Sequence, residues 1–357
     1  MAENKKFTVL YLGPRQSIAH RGTSTEQQSR AVIAAGGEFV QYEGESDGEL
    51  IEALKSADVA INQGHGFKSE FYEHMGNNGR CKGLVSFGHG YDRMDLDGAS
   101  KNGVILANTA SFGTEEVSNH TMMMFLACSR KLILHNNLVK SGKWTREFLP
   151  PMGHISGQTF GIIGLGNIGR AVARKARAFG LNVIGYDPYK SSWDTKEYGV
   201  EIVSTVDELA RRSDYISPHV YLTDDTFHMV NAEFFRKMKP TAYLINCSRG
   251  PVVDEKALIE ALQKKEIAGA GLDVFEQEPV DPNNQLLKME NVTVTNHYAS
   301  YSEVAWERGN TQLGEEAVRI AMGQWPMSLI NPEVRHYTEG RKAPVSWEVM
   351  QAQLGNK

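Results

Sequence analysis

The sequence predicts an α/β protein built from two doubly wound domains, and three observations carry that reading. Short runs of β-branched and aromatic residues alternate with helical stretches along the chain, the pattern of mostly parallel sheets covered by helices. Residues 160–170 set Gly164, Gly166 and Gly169 in G-x-G-x-x-G spacing between an apolar strand-like run and a helical one. That loop stands near the middle of 357 residues, so a substantial unit folds before it.

Runs at 8–12, 38–42, 59–62 and 84–87 predict strands, with helices over 27–35 and 47–57 between the first three. One long helix is expected over 114–140, opened by Thr114 with Glu115 and Glu116 in the first turn, where acids oppose the positive end of the helix dipole. Its Met122-to-Leu126 segment is apolar nearly all round, which predicts burial against other helices or a partner subunit. From the glycine loop onward, strands are expected at 161–163, 182–186, 215–216, 243–246, 269–274 and 292–295. Helices over 170–179, 206–211, 232–237 and 255–264 separate them. Six such strands complete a doubly wound fold, leaving a final helix over 303–321 available to the N-terminal core. The polar tail beyond Val334 reads as a loosely attached extension.

Composition narrows the function classes. Hydrophobic residues make up 41% and charged residues 23%, ordinary for a soluble globular protein. A net charge of −5 argues against a nucleic-acid or anionic-membrane surface. Cys81, Cys128 and Cys247 are too scattered for a disulfide framework, which favours a reducing, cytoplasmic setting. The N-terminus lacks a signal-peptide core, and no apolar run approaches the ~20 residues that span a bilayer. The 11 histidines include no H-E-x-x-H and no Cys/His cluster, so no metal site is expected.

The glycine loop has a specific chemistry. Gly164 allows a tight turn, Gly166 lets a pyrophosphate approach the backbone, and Gly169 lets helix and strand pack closely. The helix that follows offers unpaired N–H groups to phosphates. Asp187, at the end of the next strand, is placed to hold ribose hydroxyls, and its charge would repel a 2′-phosphate, which points to NAD. Three later strand ends carry Arg249, then Asp273 with Glu278, then His297. Singly they read as a surface charge, a solvated acid and a structural histidine. At one sheet edge they fit hydride transfer, in which a group must take or give the substrate's hydroxyl proton. Histidine titrates near neutral pH, and a paired glutamate favours imidazolium by about 1.4 kcal/mol per pKa unit. Arginine can bind a carboxylate with two parallel hydrogen bonds and polarise the adjacent carbonyl. Cys247-Ser248 lacks a nucleophile elbow and is not read as a nucleophile pair. His65 and Phe67 read equally as lining a substrate cleft or as surface loop.

From about Cys81 to Val334 the chain resembles the D-isomer-specific 2-hydroxyacid dehydrogenase family, closest in pattern to the branch containing the C-terminal-binding proteins. The resemblance rests on the segments 88–95 and 114–121, the glycine loop with residues 186–189, residues 247–250 and 273–279, His297 with residues 301–303, and residues 331–334. It implies a Rossmann cofactor domain over 108–298, inserted in a flavodoxin-like substrate domain built from 1–107 plus 299–335, with 336–357 as an extension. It further implies that Arg249 binds the substrate carboxylate and carbonyl, that His297 is the general acid/base, and that Glu278 orients and charges His297. Asp273 would hydrogen-bond the nicotinamide amide, and Gly88, His89 and Gly90 would meet the substrate carboxylate. Val117, Asn167, Ile168, Asp187, Val220, Thr226, Cys247, His297 and Ser300 would line the cofactor with the three glycines.

The chain departs from the family pattern at several points. Asn296 replaces the usual Pro before the histidine, Pro218-His219 and Tyr221 alter the loop after the strand expected at 215–216, and His89 and Ser300 replace smaller or different residues. These changes would reshape the pocket without removing a catalytic group. The resulting expectation is an NAD-dependent enzyme interconverting a 2-keto acid and a D-2-hydroxy acid in a cleft closed to water, and a homodimer. The alternatives are an NAD(H)-sensing interaction protein, or a dehydrogenase for formate or phosphite, against whose formate version Glu278 weighs.

Overall fold

A computed structural model describes residues 7–13, 25–64, 66–144 and 152–355; His65 lies outside them. Contacts divide the chain into two compact units, Met1–Phe112 with Glu303–Lys357, and Gly113–Ser302. In chain order the first stretch carries β1 (Thr8–Leu12), α1 (Glu26–Ala34), β2 (Glu38–Gln41), α2 (Asp47–Ser56), β3 (Val59–Asn62), β4 (Gly83–Ser86), α3 (Leu96–Lys101) and β5 (Ile105–Asn108). The central stretch carries α4 (Thr114–Ser129), α5 (Leu132–Lys140), β6 (Thr159–Ile163), α6 (Asn167–Ala178), β7 (Asn182–Tyr186), α7 (Ser192–Thr195), β8 (Glu201–Ile202), α8 (Val206–Arg212) and β9 (Tyr215–Pro218). It continues with α9 (Ala232–Lys237), β10 (Tyr243–Asn246), α10 (Glu255–Gln263), β11 (Gly269–Leu272) and β12 (Val292–Val294). The chain ends with α11 (Glu303–Ala321) and α12 (Trp347–Gly355).

In the first unit a parallel sheet runs β2-β1-β3-β4-β5. Side chains alternate across it with period two. Val9 and Tyr11 join Val32 of α1 and Leu313, Ala317 and Ile320 of α11 on one face. Leu10 and Leu12 meet Leu50 and Leu54 of α2 with Phe71 and Tyr72 on the other. Both faces are covered, which is why β1 is buried from Val9 to Leu12. The tail expected to be loose is packed instead. Met350 is buried, and Val345 and Trp347 lie against the same core, because aromatic and apolar side chains there find an open edge of it. Strand β5 and helix α3, which the sequence reading passed over, complete this sheet.

In the second unit the order is β12-β11-β10-β9-β6-β7-β8, all parallel. The seventh strand, β8, is a two-residue edge. The expected helix over 114–140 is two helices. Lys131 adopts φ +55° between α4 and α5, and its Nζ bonds the Tyr243 hydroxyl and lies 4.7 Å from that ring's centroid. A contact to β10 thus overrides local helix propensity. Met122, Met124 and Phe125 of α4 are buried, whereas Met123 is exposed and α5 has no buried residue among those described.

Candidate active site

β6 pairs with β7 on one side and β9 on the other, so the chain leaves its end at the point where strand order reverses. Gly164 holds φ +90° there, and a Cβ on it would fall 2.7 Å from the His219 carbonyl oxygen. A Cβ on Gly169 would fall 2.1 Å from the Gly164 oxygen, so α6 crosses the loop in direct contact. At Gly166 the same test meets nothing within 4 Å. Gly166 caps α6 without a side chain, which leaves the first-turn N–H groups for an anion. This cradle fits the pyrophosphate of a dinucleotide.

Around it, Asp187 accepts the Leu165 N–H at 2.8 Å and the Tyr189 N–H at 2.9 Å, tying the loop to the end of β7. Asn167 opens α6 and accepts from Arg170 at 2.9 Å. Ile168 and Val117 pack with one face of the sheet, and Val220 stands beside Gly164. The Thr226 hydroxyl donates to the Tyr221 carbonyl at 2.6 Å and accepts the Thr223 N–H at 2.8 Å, closing that loop. Cys247 is buried, and burial pushes its thiol well up from its ordinary value. His219 is driven down to about 3 by burial and is neutral, its Nε2 3.0 Å from the Ser217 hydroxyl.

Arg249, Glu278 and His297 lie together at the ends of β10, β11 and β12. Asn246 donates to the Arg249 carbonyl at 2.9 Å, and the guanidinium donates to the Ser248 carbonyl at 2.8 Å. Glu278 accepts the Phe275 N–H at 3.0 Å with one oxygen, and its other oxygen lies 2.7 Å from His297 Nδ1. An ionised carboxylate only accepts, so Nδ1 carries the proton and Nε2 is left for exchange with a ligand. Burial alone would raise the Glu278 pKa, but the His297 bond, the Phe275 N–H and the nearby Arg249 charge hold it below the usual range.

His297 has φ +56°, a left-handed backbone uncommon for any residue but glycine. Asp273 holds that turn. Its carbonyl accepts the His297 N–H at 2.7 Å, one carboxylate oxygen accepts the Tyr298 N–H at 2.9 Å, and the other accepts the Ala299 N–H at 3.0 Å. Thr295 adds a hydroxyl bond of 2.6 Å, and His120 Nε2 lies 2.9 Å from that hydroxyl. Burial opposes ionisation of Asp273, yet the donors of His120, Thr295 and Tyr298 outweigh it and hold the pKa at about 2. His120 and Thr295 were not singled out from sequence; Thr295 sits two residues before the chosen histidine, and His120 falls inside a matched segment. Ser300 is half-buried three residues beyond His297.

Gly88, His89 and Gly90 follow β4 in the first unit. Gly88 has φ +110° and donates to the Thr109 hydroxyl at 2.9 Å; the His89 carbonyl accepts from Asn108 at 2.8 Å. The His89 ring stacks on Phe112 with centroids 4.7 Å apart. Among the described residues one group has metal-compatible spacing, His228 with Asp254 and Glu276, whose ligand atoms lie within 4.8 Å. His228 Nε2 lies 2.7 Å from Glu276 Oε1 and Asp254 caps α10, so these groups already have structural partners.

A doubly wound sheet with a phosphate cradle at its switch point and a His–Glu–Arg set on its strand ends defines a nicotinamide-dependent oxidoreductase. Residues 122–299 match the NAD binding domain model of the D-isomer specific 2-hydroxyacid dehydrogenases. A glyoxylate reductase of Korarchaeum cryptofilum is 41% identical over 254 residues, which cover 70% of this chain and 76% of that protein. A D-3-phosphoglycerate dehydrogenase of Methanocaldococcus jannaschii is 35% identical over 310 residues, covering 86% of this chain and 58% of that one. The solved NADPH-dependent glyoxylate/hydroxypyruvate reductase of Sinorhizobium meliloti superposes with a TM-score of 0.76 at 26% identity, over 95% of this chain and 100% of that one. The chain belongs to the D-isomer-specific 2-hydroxyacid dehydrogenase family, and it is an NAD-dependent enzyme of that class. No helix among the described residues is long and apolar enough to cross a membrane.

Proposed function

We propose that the enzyme interconverts a small 2-keto acid and its D-2-hydroxy acid, with His297 as general acid/base, Glu278 as its partner and Arg249 on the substrate carboxylate and carbonyl. The observation that carries this reading is the 2.7 Å bond between His297 Nδ1 and Glu278, which leaves Nε2 for the substrate oxygen. NADH, when bound, supplies the hydride; the chain's own residues bind, orient and move the proton. In reduction, Nε2 gives its proton to the carbonyl oxygen while Nδ1–H stays on Glu278. Arg249 stabilises the charge that develops on that oxygen. Gly88, His89 and Gly90 are assigned to the substrate carboxylate by family resemblance, and Gly164, Gly166, Gly169, Asn167, Ile168, Asp187, Val117, Val220, Thr226, Cys247, Asp273 and Ser300 to the cofactor.

Glyoxylate and hydroxypyruvate, suggested by the relatives' names, head the panel, with pyruvate, phenylpyruvate and branched and dicarboxylic keto acids beside them. His297→Ala and Arg249→Ala are each expected to lower kcat by about 10²–10⁴ while NADH still binds. Wild-type turnover by purified His297→Ala on the best substrate would remove the assignment. An intact acid/base pair favours turnover over an NAD(H)-sensing role. Failure of the whole panel, with partner capture that changes on adding NADH, would reverse that preference. We also propose a homodimer through the apolar surface of α4 and α5.

A further inference from the structure

We infer that His120, together with Thr295, is a positioning residue for the reaction, acting through Asp273 on the turn that presents His297. The inference rests on the reading of His297 as acid/base. Thr295 has a single hydroxyl proton, and its Oγ1 lies 2.6 Å from Asp273 Oδ1. An ionised carboxylate offers no proton, so the hydroxyl donates to it. The 2.9 Å contact between Thr295 Oγ1 and His120 Nε2 then requires the proton on Nε2. That same N–H lies 3.4 Å from Asp273 Oδ1. The carboxylate, whose side chain is 1% exposed, therefore sets one polarity for the chain, running from His120 of α4 through Thr295 to Asp273.

At the far end of the relay, Oδ1 is shared with the Tyr298 N–H, and Oδ2 takes the Ala299 N–H. These are the two residues that follow His297, and the His297 N–H itself ends on the Asp273 carbonyl. A non-glycine residue at φ +56° persists only where its surroundings over-determine it. Asp273 supplies those restraints, and the His120 donor, close to both Thr295 Oγ1 and Asp273 Oδ1, holds the two side chains in register. Without the His120 donor the Thr295 oxygen and Oδ1 both lose a hydrogen-bonding neighbour, and the Thr295 and Asp273 side chains are less tightly held. His297 would then sample orientations in which Nε2 misses the substrate oxygen, a loss felt in the chemical step rather than in binding.

His120→Phe keeps the ring and removes the donor, His120→Gln returns an N–H at similar reach, and Thr295→Val removes the hydroxyl at constant shape. His120→Phe and Thr295→Val are each expected to lower kcat about tenfold, the size of one hydrogen bond to a charged group. NADH affinity and the keto-acid KM should stay within about twofold. His120→Gln should recover most of kcat, and the His120→Phe/Thr295→Val double variant should be no slower than either single one. Wild-type kcat in His120→Phe, or a His120→Gln no faster than His120→Phe at equal melting temperature, would overturn the inference. Should His120→Phe fail to fold, Thr295→Val at wild-type melting temperature decides the question by its kcat alone. If these variants are unaffected while His297→Ala is inactive, only the positioning role falls; an active His297→Ala removes the proposed function as well.

Discussion

Both oxygens of Asp187 are engaged by backbone N–H groups, that of Leu165 on the glycine loop and that of Tyr189 beyond β7. Replacing it by alanine removes the charge that opposes a 2′-phosphate and also loosens the loop. Asp187→Ala is therefore expected to weaken NADH about tenfold and to leave NADPH equal or tighter, as fluorescence titration with both cofactors would show. A variant retaining the wild-type preference would exclude Asp187 as the discriminating group. The sequence located this acid by its place after the second strand of the fold. It could not reveal the second duty, because the Leu165 bond depends on how the loop folds back. The same holds for Asp273, whose assignment to the nicotinamide came from resemblance and whose carboxylate bonds to the turn came from geometry. Holding Asp273 at about 2, against an ordinary 3.8, means the stability it contributes is present above that ordinary value. It is lost as pH falls from about 4 through 2.

At the scale of elements, α4 and α5 show where periodicity runs out. Residues 114–140 carry a continuous helical pattern, yet the chain turns at Lys131 because its ammonium reaches Tyr243, far along the sequence. The break leaves Leu132 at 55% and Val139 at 53% exposure, with Met123 at 45% on α4. Met122, Met123, Leu126, Leu132 and Phe179 line an open apolar groove on this unit. Apolar surface gathered in one place is what an association face requires. The double variant Met123→Glu/Leu132→Glu is expected to sediment as a monomer at micromolar concentration, with a far-UV spectrum like that of the wild type. Sedimentation unchanged from that of the wild type would exclude this face as the proposed interface. Strand β5 was passed over although it is no shorter than β3 or β10, which were read as strands.

On the scale of the whole molecule, helix α11 shows how one unit is closed by a segment that follows the other in the chain. α11 buries Leu313, Ala317 and Ile320 in the first unit's core, along with a polar pair. Glu316 and Arg319 are 1% and 3% exposed and lie 3.1 Å apart. Burial raises the Glu316 pKa to about 7 despite the arginine and the Met327 N–H. The folded state then holds a proton that the unfolded chain has released, so this group's contribution declines as pH rises from the ordinary 4.5 to about 7. The slope is at most about 1.4 kcal/mol per pH unit. Glu316→Gln, which mimics the protonated acid, should lose that slope in calorimetric scans between those limits while staying close to the wild type at the acid end. A variant whose pH dependence matched the wild type would show that Glu316 is ionised across the range.

Much of the site was legible because doubly wound topology sends every strand end to one edge. A glycine loop, an acid after the second strand, and Arg249, Glu278 and His297 after later ones then need only be ordered along the chain. Local pattern also sufficed for α11, which the sequence bounds at both ends. The relay from His120 to Asp273, the break at Lys131 and the docked tail were not legible. His120 and Thr295 stand 175 positions apart, and no periodicity encodes a hydrogen bond across that distance. Local patterns report which groups are present and at which strand end they emerge. Which of them restrain the turn at His297 depends on packing between distant segments, and packing becomes defined only when the chain is folded.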